Sequence, residues 1–244
     1  MSTTHLQPAH PAHSKMAEYY RIYVWEVPVR LYHGINALSM VLLCVTGYLI
    51  GAPHRIFYAN EAYQLYWFGT VRFIHFLCAF IWVFNFLVRI YWGFVGNKYS
   101  NWRNYFPLTK EQRGEIREVI CADVLQYCKN SRSYVGHNPL AAFTYFLTFL
   151  AFIFQAVTGF ALYSSMSSSV LPSMFKFVIP LMGGEAVVRF WHHLFLWFFV
   201  VFIIVHVYLA LYHDYVEGRG EISAIVSGWK FHHVDAAPDN KVKK

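Results

Sequence analysis

Histidine inside an apolar run is the first chemistry this sequence offers. The stretch from Arg189 to His213 is almost wholly apolar yet contains His192, His193 and His206. As a helix it would cross a bilayer, which takes about 20 residues at a rise of about 1.5 Å each. Buried there, an imidazole is costly and points to function. His192 and His206 are 14 residues apart. At about 100° per residue they fall within about 40° of one face, roughly 21 Å apart along the axis. His193 falls about 140° round the helix from His206 and is expected to face elsewhere. Two imidazoles on one face, four turns apart, suit two stacked metal cofactors.

The elements that must position these side chains are membrane spans. Of 244 residues 57% are hydrophobic, 20% aromatic and only 14% charged, a composition of polytopic membrane proteins rather than soluble domains. Apolar segments stand at about 31–51, 73–95, 139–163 and 190–213. Basic residues crowd before the first span, in the link between the second and third, and after the fourth, which places both termini in the cytoplasm. The +7 charge follows that topology, so nucleic acid is not implied as a partner. Residues 1–20 read as a polar tail without a signal peptide, 21–231 as one domain and 232–244 as a polar basic tail. In the 96–138 link, a capping box at Thr109 and Gln112 leads into Ile116, Val119, Ile120, Val124, Tyr127 and Cys128 on one helical face. The expected fold is an all-α integral membrane bundle of four transmembrane helices, with this amphipathic cytoplasmic segment between helices 2 and 3.

Depth pairs the histidines. With alternating spans, His75 and His192 lie near the outer ends of spans two and four, whereas His33 and His206 lie toward the inner ends of spans one and four. His75 with His192 would bracket an outer iron and His33 with His206 an inner one. Imidazole suits iron, and two axial histidines leave no open coordination position, so the chemistry would be electron transfer. Cys44, Cys78, Cys121 and Cys128 lack the Cys-x-x-Cys-His spacing of covalent haem attachment, so each haem would be non-covalent. Gly47, 14 residues after His33, would let a flat macrocycle approach on the outer level. Arg89, 14 residues after His75, would reach propionates of the inner haem, with Arg72 and Arg189 serving the outer one. Lipid phosphate competes for each of these arginines. A weak repeat runs through the chain: Val45-Thr46-Gly47-Tyr48 against Val157-Thr158-Gly159-Phe160, and Arg72-Phe73-Ile74-His75 against Arg189-Phe190-Trp191-His192, at offsets of 112 and 117. Duplicated helical hairpins would produce it, and chance in an aromatic-rich chain is the alternative.

From about residue 21 to 231 the chain resembles the b-type cytochrome subunit of membrane-bound nickel–iron hydrogenases. The carriers are Val24-Trp25-Glu26-Val27-Pro28-Val29-Arg30-Leu31-Tyr32-His33, Thr46-Gly47, Val71-Arg72-Phe73-Ile74-His75, Arg89-Ile90-Tyr91-Trp92, Val95-Gly96-Asn97, Tyr134-Val135-Gly136-His137-Asn138-Pro139, Trp191-His192, Trp197, His206-Val207-Tyr208 and Ser223-Ala224-Ile225-Val226-Ser227-Gly228. Gly34 and Phe190 depart from the tryptophan and small residue common there. The resemblance implies two b haems on four such histidines in the bacterial cytoplasmic (inner) membrane. It also implies electrons arriving from the iron–sulfur small subunit, and through it the nickel–iron large subunit, and leaving to quinone. His137 and Asn138 lie at the inner level where quinone would be reduced; the related formate dehydrogenase cytochrome has an asparagine near its quinone at a similar place. Asn138 and Pro139 equally suit a helix start. Two other readings stay open: the cytochrome subunit of a formate dehydrogenase or similar quinone-linked complex, and a transporter using its buried histidines. No hydrogen-activating site is visible in this chain.

Overall fold

The computed structural model describes residues 19–52, 66–105, 110–121, 125, 127, 135–137, 139–218 and 220–233. In chain order these form strand β1 (Tyr19–Tyr23), helices α1 (Val27–Gly51) and α2 (Trp67–Val95), a 3₁₀ turn (Trp102–Tyr105), and α3 (Lys110–Val119). There follow α4 (Pro139–Ser164), the short α5 (Val170–Ser173) and α6 (Val178–Leu181), α7 (Glu185–Glu217), α8 (Glu221–Ser227) and strand β2 (Trp229–His233). Helices α1, α2, α4 and α7 are long and apolar enough to cross a membrane. Only 11–28% of their most apolar windows is buried within the protein, so most of the apolar surface faces outward. That is the arrangement lipid requires, because lipid offers no hydrophobic penalty to an exposed leucine or phenylalanine. The protein is an integral membrane helical bundle.

The spans run longer than hydropathy alone places them. Helix α1 begins at Val27 with Pro28 in its first turn, where a missing N–H costs nothing. Helix α2 begins at Trp67, and α7 reaches from Glu185 to Glu217. In the link between α2 and α4, α3 covers the first part of the expected amphipathic helix; Thr109, Val124 and Cys128 lie outside the described residues.

A two-stranded sheet accompanies the helical bundle. Strand β1 pairs antiparallel with β2 in the register Tyr19↔His233 to Tyr23↔Trp229, joining the described ends of the chain on one face of the bundle, here termed the terminal face. Tyr19 and Tyr20 therefore belong to the folded unit rather than to the N-terminal tail, and His232 and His233 rather than to the C-terminal one. The N–H groups of Val24 and Trp25 both donate to the Gly228 carbonyl. Gly228 has φ +89°, and a Cβ there would fall 2.5 Å from the Tyr23 ring and 2.7 Å from the Trp25 carbonyl, so only glycine closes this turn.

Beneath the sheet, Glu26 locks α1 to α2. Its carboxylate accepts from the Trp92 indole N–H and the Asn97 backbone N–H, both at 2.9 Å. Asn97 in turn donates to the Val24 carbonyl and accepts from Tyr99 N, Ser100 N and Ser100 Oγ. Helices α1 and α2 pack as one hairpin, α4 and α7 as another, and α7 also packs on α1. Met40, Trp82, Phe86, Ala151, Phe152 and Phe199 fill the centre between them.

Candidate haem-binding sites

Seven-residue steps set the levels of the bundle. His33, Met40 and Gly47 on α1; His75, Trp82 and Arg89 on α2; Tyr145, Phe152 and Gly159 on α4; and His192, Phe199 and His206 on α7 each advance by seven. Seven residues is nearly two turns, so each triplet keeps to one face. Met40, Trp82, Phe152 and Phe199 are all 5% exposed or less and form a middle layer. On the far side of it lie Gly47, His75, Gly159 and His192, and on the terminal side His33, Arg89, Tyr145 and His206.

On the far level the two hairpins repeat each other. The Thr46 hydroxyl lies 2.8 Å from His75 Nδ1 and the Thr158 hydroxyl 2.9 Å from His192 Nδ1. Each hydroxyl also donates to a helix carbonyl, Thr46 to Leu42 at 2.6 Å and Thr158 to Phe154 at 2.8 Å. Having spent its one proton there, each oxygen accepts from the imidazole, which puts the ring proton on Nδ1 and a lone pair on Nε2. The Gln155 amide nitrogen 3.3 Å from His192 Nε2 agrees with an acceptor at that position. A histidine whose Nδ1–H is held by a neighbouring oxygen is in the form that ligates a metal. The neighbouring glycines complete the match: a Cβ on Gly47 would come within 3.3 Å of His75 Cε1, and one on Gly159 within 3.2 Å of His192 Cε1. Two independent hairpins arriving at this geometry make the repeat structural rather than accidental.

The terminal level keeps the offsets but changes the residues, with Tyr145 in the place corresponding to His33 and His206 in that corresponding to Arg89. The His33 and His206 rings lie with centroids 6.2 Å apart and planes tilted by 48°. Adding the rings' own half-widths to a metal–imidazole bond of about 2 Å on each side gives a separation of about 6 Å, so this pair fits one iron between them. Asn85 donates to the Tyr32 carbonyl at 3.0 Å, fixing α1 beside His33, and the Tyr145 hydroxyl lies 3.4 Å from His206 Nδ1. His193 turns away, as its phase predicts: its Nδ1 donates to the Arg189 carbonyl at 2.9 Å and its Nε2 abuts Gly51 on α1.

A family model described as prokaryotic cytochrome b561 matches residues 24–228, a range that holds all four histidines and both threonine–glycine pairs. The chain belongs to that family. The cytochrome is 43% identical over 216 residues to a probable Ni/Fe-hydrogenase B-type cytochrome subunit of Cupriavidus necator, covering 85% of this chain and 86% of the relative. It is 40% identical over 226 residues to one from Azotobacter vinelandii (89% and 91%) and 37% identical over 216 residues to the probable Ni/Fe-hydrogenase 1 B-type cytochrome subunit of Escherichia coli K12 (86% and 91%). It is thus a membrane electron-transfer cytochrome of the haem b type.

The arginines divide. Arg89 is 2% exposed, donates through Nη2 to the Ser100 carbonyl and the Tyr105 hydroxyl, and keeps a buried Nη1 without a protein partner. Arg72 instead meets the Met166 sulfur. Arg189 pairs with Glu185 one turn earlier, both side chains well exposed. His137 lies just before α4 among Trp25, Tyr105 and Tyr145, its Nδ1 enclosed and without a hydrogen-bond partner. Burial, with Lys230, Arg89 and His206 as neighbours, pushes its pKa down to about 3. Asn138 lies outside the described residues. Thr46, Thr158 and Gly159 stood in the sequence as repeat markers; their role needed the partner histidines to be seen.

Proposed function

We propose that the cytochrome holds two haems b, one between His75 and His192 and one between His33 and His206, and carries electrons from a nickel–iron hydrogenase to membrane quinone. The hydrogenase's iron–sulfur small subunit would supply them, with the large nickel–iron subunit behind it. The observation that carries the reading is the matched pair of Thr–His contacts, which leaves Nε2 of His75 and of His192 as the lone-pair nitrogen. Bound between two histidines, haem supplies one-electron transfer without an open coordination site. The protein's part is to fix the ring tautomers, exclude water with the aromatic middle layer, and neutralise charge. On the terminal side Arg89 Nη1 is the donor placed for a propionate. Arg72 and Arg189 fit the far haem's periphery less closely than Arg89 fits that of the terminal-level haem, since of the three only Arg89 keeps a buried donor without a protein partner. Gly47, with Gly159 as its counterpart, gives the far rings their room.

The names of the relatives favour a hydrogenase over a formate dehydrogenase as the docking partner, and buried paired histidines with fixed tautomers favour electron transfer over transport. The membrane would be the bacterial inner membrane, with the terminal face cytoplasmic, and quinone would be reduced near His137 and Asn138. Reduced-minus-oxidised spectroscopy with haem quantification on the purified complex tests the centre of this. Two b haems per chain, both reduced under hydrogen and reoxidised by quinone, are expected; one haem or none contradicts it. His137→Ala and Asn138→Ala should keep both haems while slowing reoxidation by quinone, and an unmodified rate would place the quinone elsewhere.

A further inference from the structure

Among the described side chains of the terminal sheet, Lys230 is the cation that points into the protein. Its side chain is 3% exposed, and it pairs with Glu221, whose side chain is 25% exposed, at 2.6 Å. The ammonium also reaches the Gly136 carbonyl at 3.5 Å and lies 5.6 Å from the centre of the Trp25 ring. The Trp25 and His137 rings lie 4.7 Å apart and tilted by 44°, and the His137 ring lies 4.9 Å from that of Tyr145, whose hydroxyl approaches His206. Ordered from solvent inward, the groups are thus a half-open carboxylate, a closed ammonium, an imidazole with an unused buried Nδ1, and the terminal histidine pair. A buried ammonium is expensive even when paired. Glu221, Lys230 and His137 each have a proton to accept or release.

We propose that Glu221, Lys230 and His137 form the proton entry to the quinone site, a role that rests on the quinone-reducing reading above. Reduction of one quinone takes the two electrons released by oxidation of one dihydrogen and two protons from water on the terminal face, giving one quinol. Glu221 collects each proton at the surface. Lys230 donates its own inward and is reprotonated from Glu221, and His137 accepts on one ring nitrogen and releases from the other. The groups facing His137 set when this happens: Lys230 from β2, Arg89 from α2, Tyr105 from the 3₁₀ turn, Tyr145 from α4 and His206 from α7, with Glu221 of α8 behind Lys230. Burial first, and then the nearby cations, hold the imidazole neutral at rest. Negative charge arriving on the quinone offsets them, so a proton moves in only as electrons do.

Lys230→Arg is the sharpest test, because arginine keeps the charge and the pair with Glu221 but does not give up its proton. It is made in the whole hydrogenase complex alongside Glu221→Gln and studied with a short-chain quinone. Both variants should show the unmodified haem spectrum under hydrogen and unmodified reduction of a viologen dye. Haem reoxidation by quinone should slow by roughly tenfold or more, with a steeper loss at high pH, a larger solvent isotope effect and partial rescue by a small permeant acid. Unmodified reoxidation, or slowing that is equal at every pH with an unmodified isotope effect, overturns the proton entry and leaves a purely structural ion pair. Haems of the unmodified complex that quinone does not reoxidise at all would instead overturn the functional reading beneath it.

Discussion

A threonine hydroxyl has one proton to give, and at Thr46 and Thr158 it goes to a helix carbonyl, so the imidazole opposite must keep its own on Nδ1. Replacing either threonine by valine keeps the shape and removes the acceptor. The ring then loses its tautomer and orientation, and haem affinity should fall by about 10–100-fold, read as haem lost on dilution or competition. The ligands themselves should be stricter. His33→Ala, His75→Ala, His192→Ala and His206→Ala should each lose one haem or destabilise the bundle, since a cavity opens as the ligand goes. His193→Ala should keep both, because His193 is tied to Arg189 and directed at Gly51. Loss from the His193 variant with retention in His192→Ala would reverse the choice within the pair.

At the scale of elements, close approach and junctions carry the weight. Gly47 brings α1 against His75 of α2, and Gly159 brings α4 against His192 of α7, each with no room for a methyl unless the ring gives way. Gly47→Ala should therefore disturb the far haem alone, seen as a shifted or missing component in the spectrum while the near component is unchanged. The Glu26 junction joins the ends of α1 and α2 through Trp92 and Asn97. Glu26→Ala leaves two part-buried N–H groups without their acceptor, a cost of about 1–3 kcal/mol. Its measure is a lower thermal midpoint of the detergent-solubilised protein; an unmoved midpoint would show that water replaces the carboxylate.

For the molecule as a whole, the sheet that ties the two described ends of the chain together also closes the terminal face over His137. An imidazole whose folded pKa of about 3 lies below its unfolded value costs nothing above about pH 6.5. As pH falls through that value the unfolded chain takes the proton first, and stability is lost on the order of 1–2 kcal/mol by pH 5. The thermal midpoint should drop between pH 7 and 5, and His137→Gln should flatten the drop. An equal drop in that variant would assign the acid sensitivity to other groups.

What the sequence determined by itself is whatever a single helix can express: four apolar runs long enough to span, and the phases that set His192 apart from His193 and align it with His206. Hydropathy and the helical period are local, so they need no partner to be read. The repeat of threonine and glycine was visible too, but not its meaning. Thr46 and His75 lie on different helices, and only packing brings a hydroxyl within 2.8 Å of a ring nitrogen. Packing also decided between the arginines: Arg72, Arg89 and Arg189 look alike in a hydropathy plot, yet only Arg89 ends buried with an unused donor. The β1–β2 sheet had no local signature at all. Its strands are five residues each and stand at opposite ends of the chain. Pairing them depends on an even number of spans returning the chain to the face it left, and on Gly228 turning where no side chain fits.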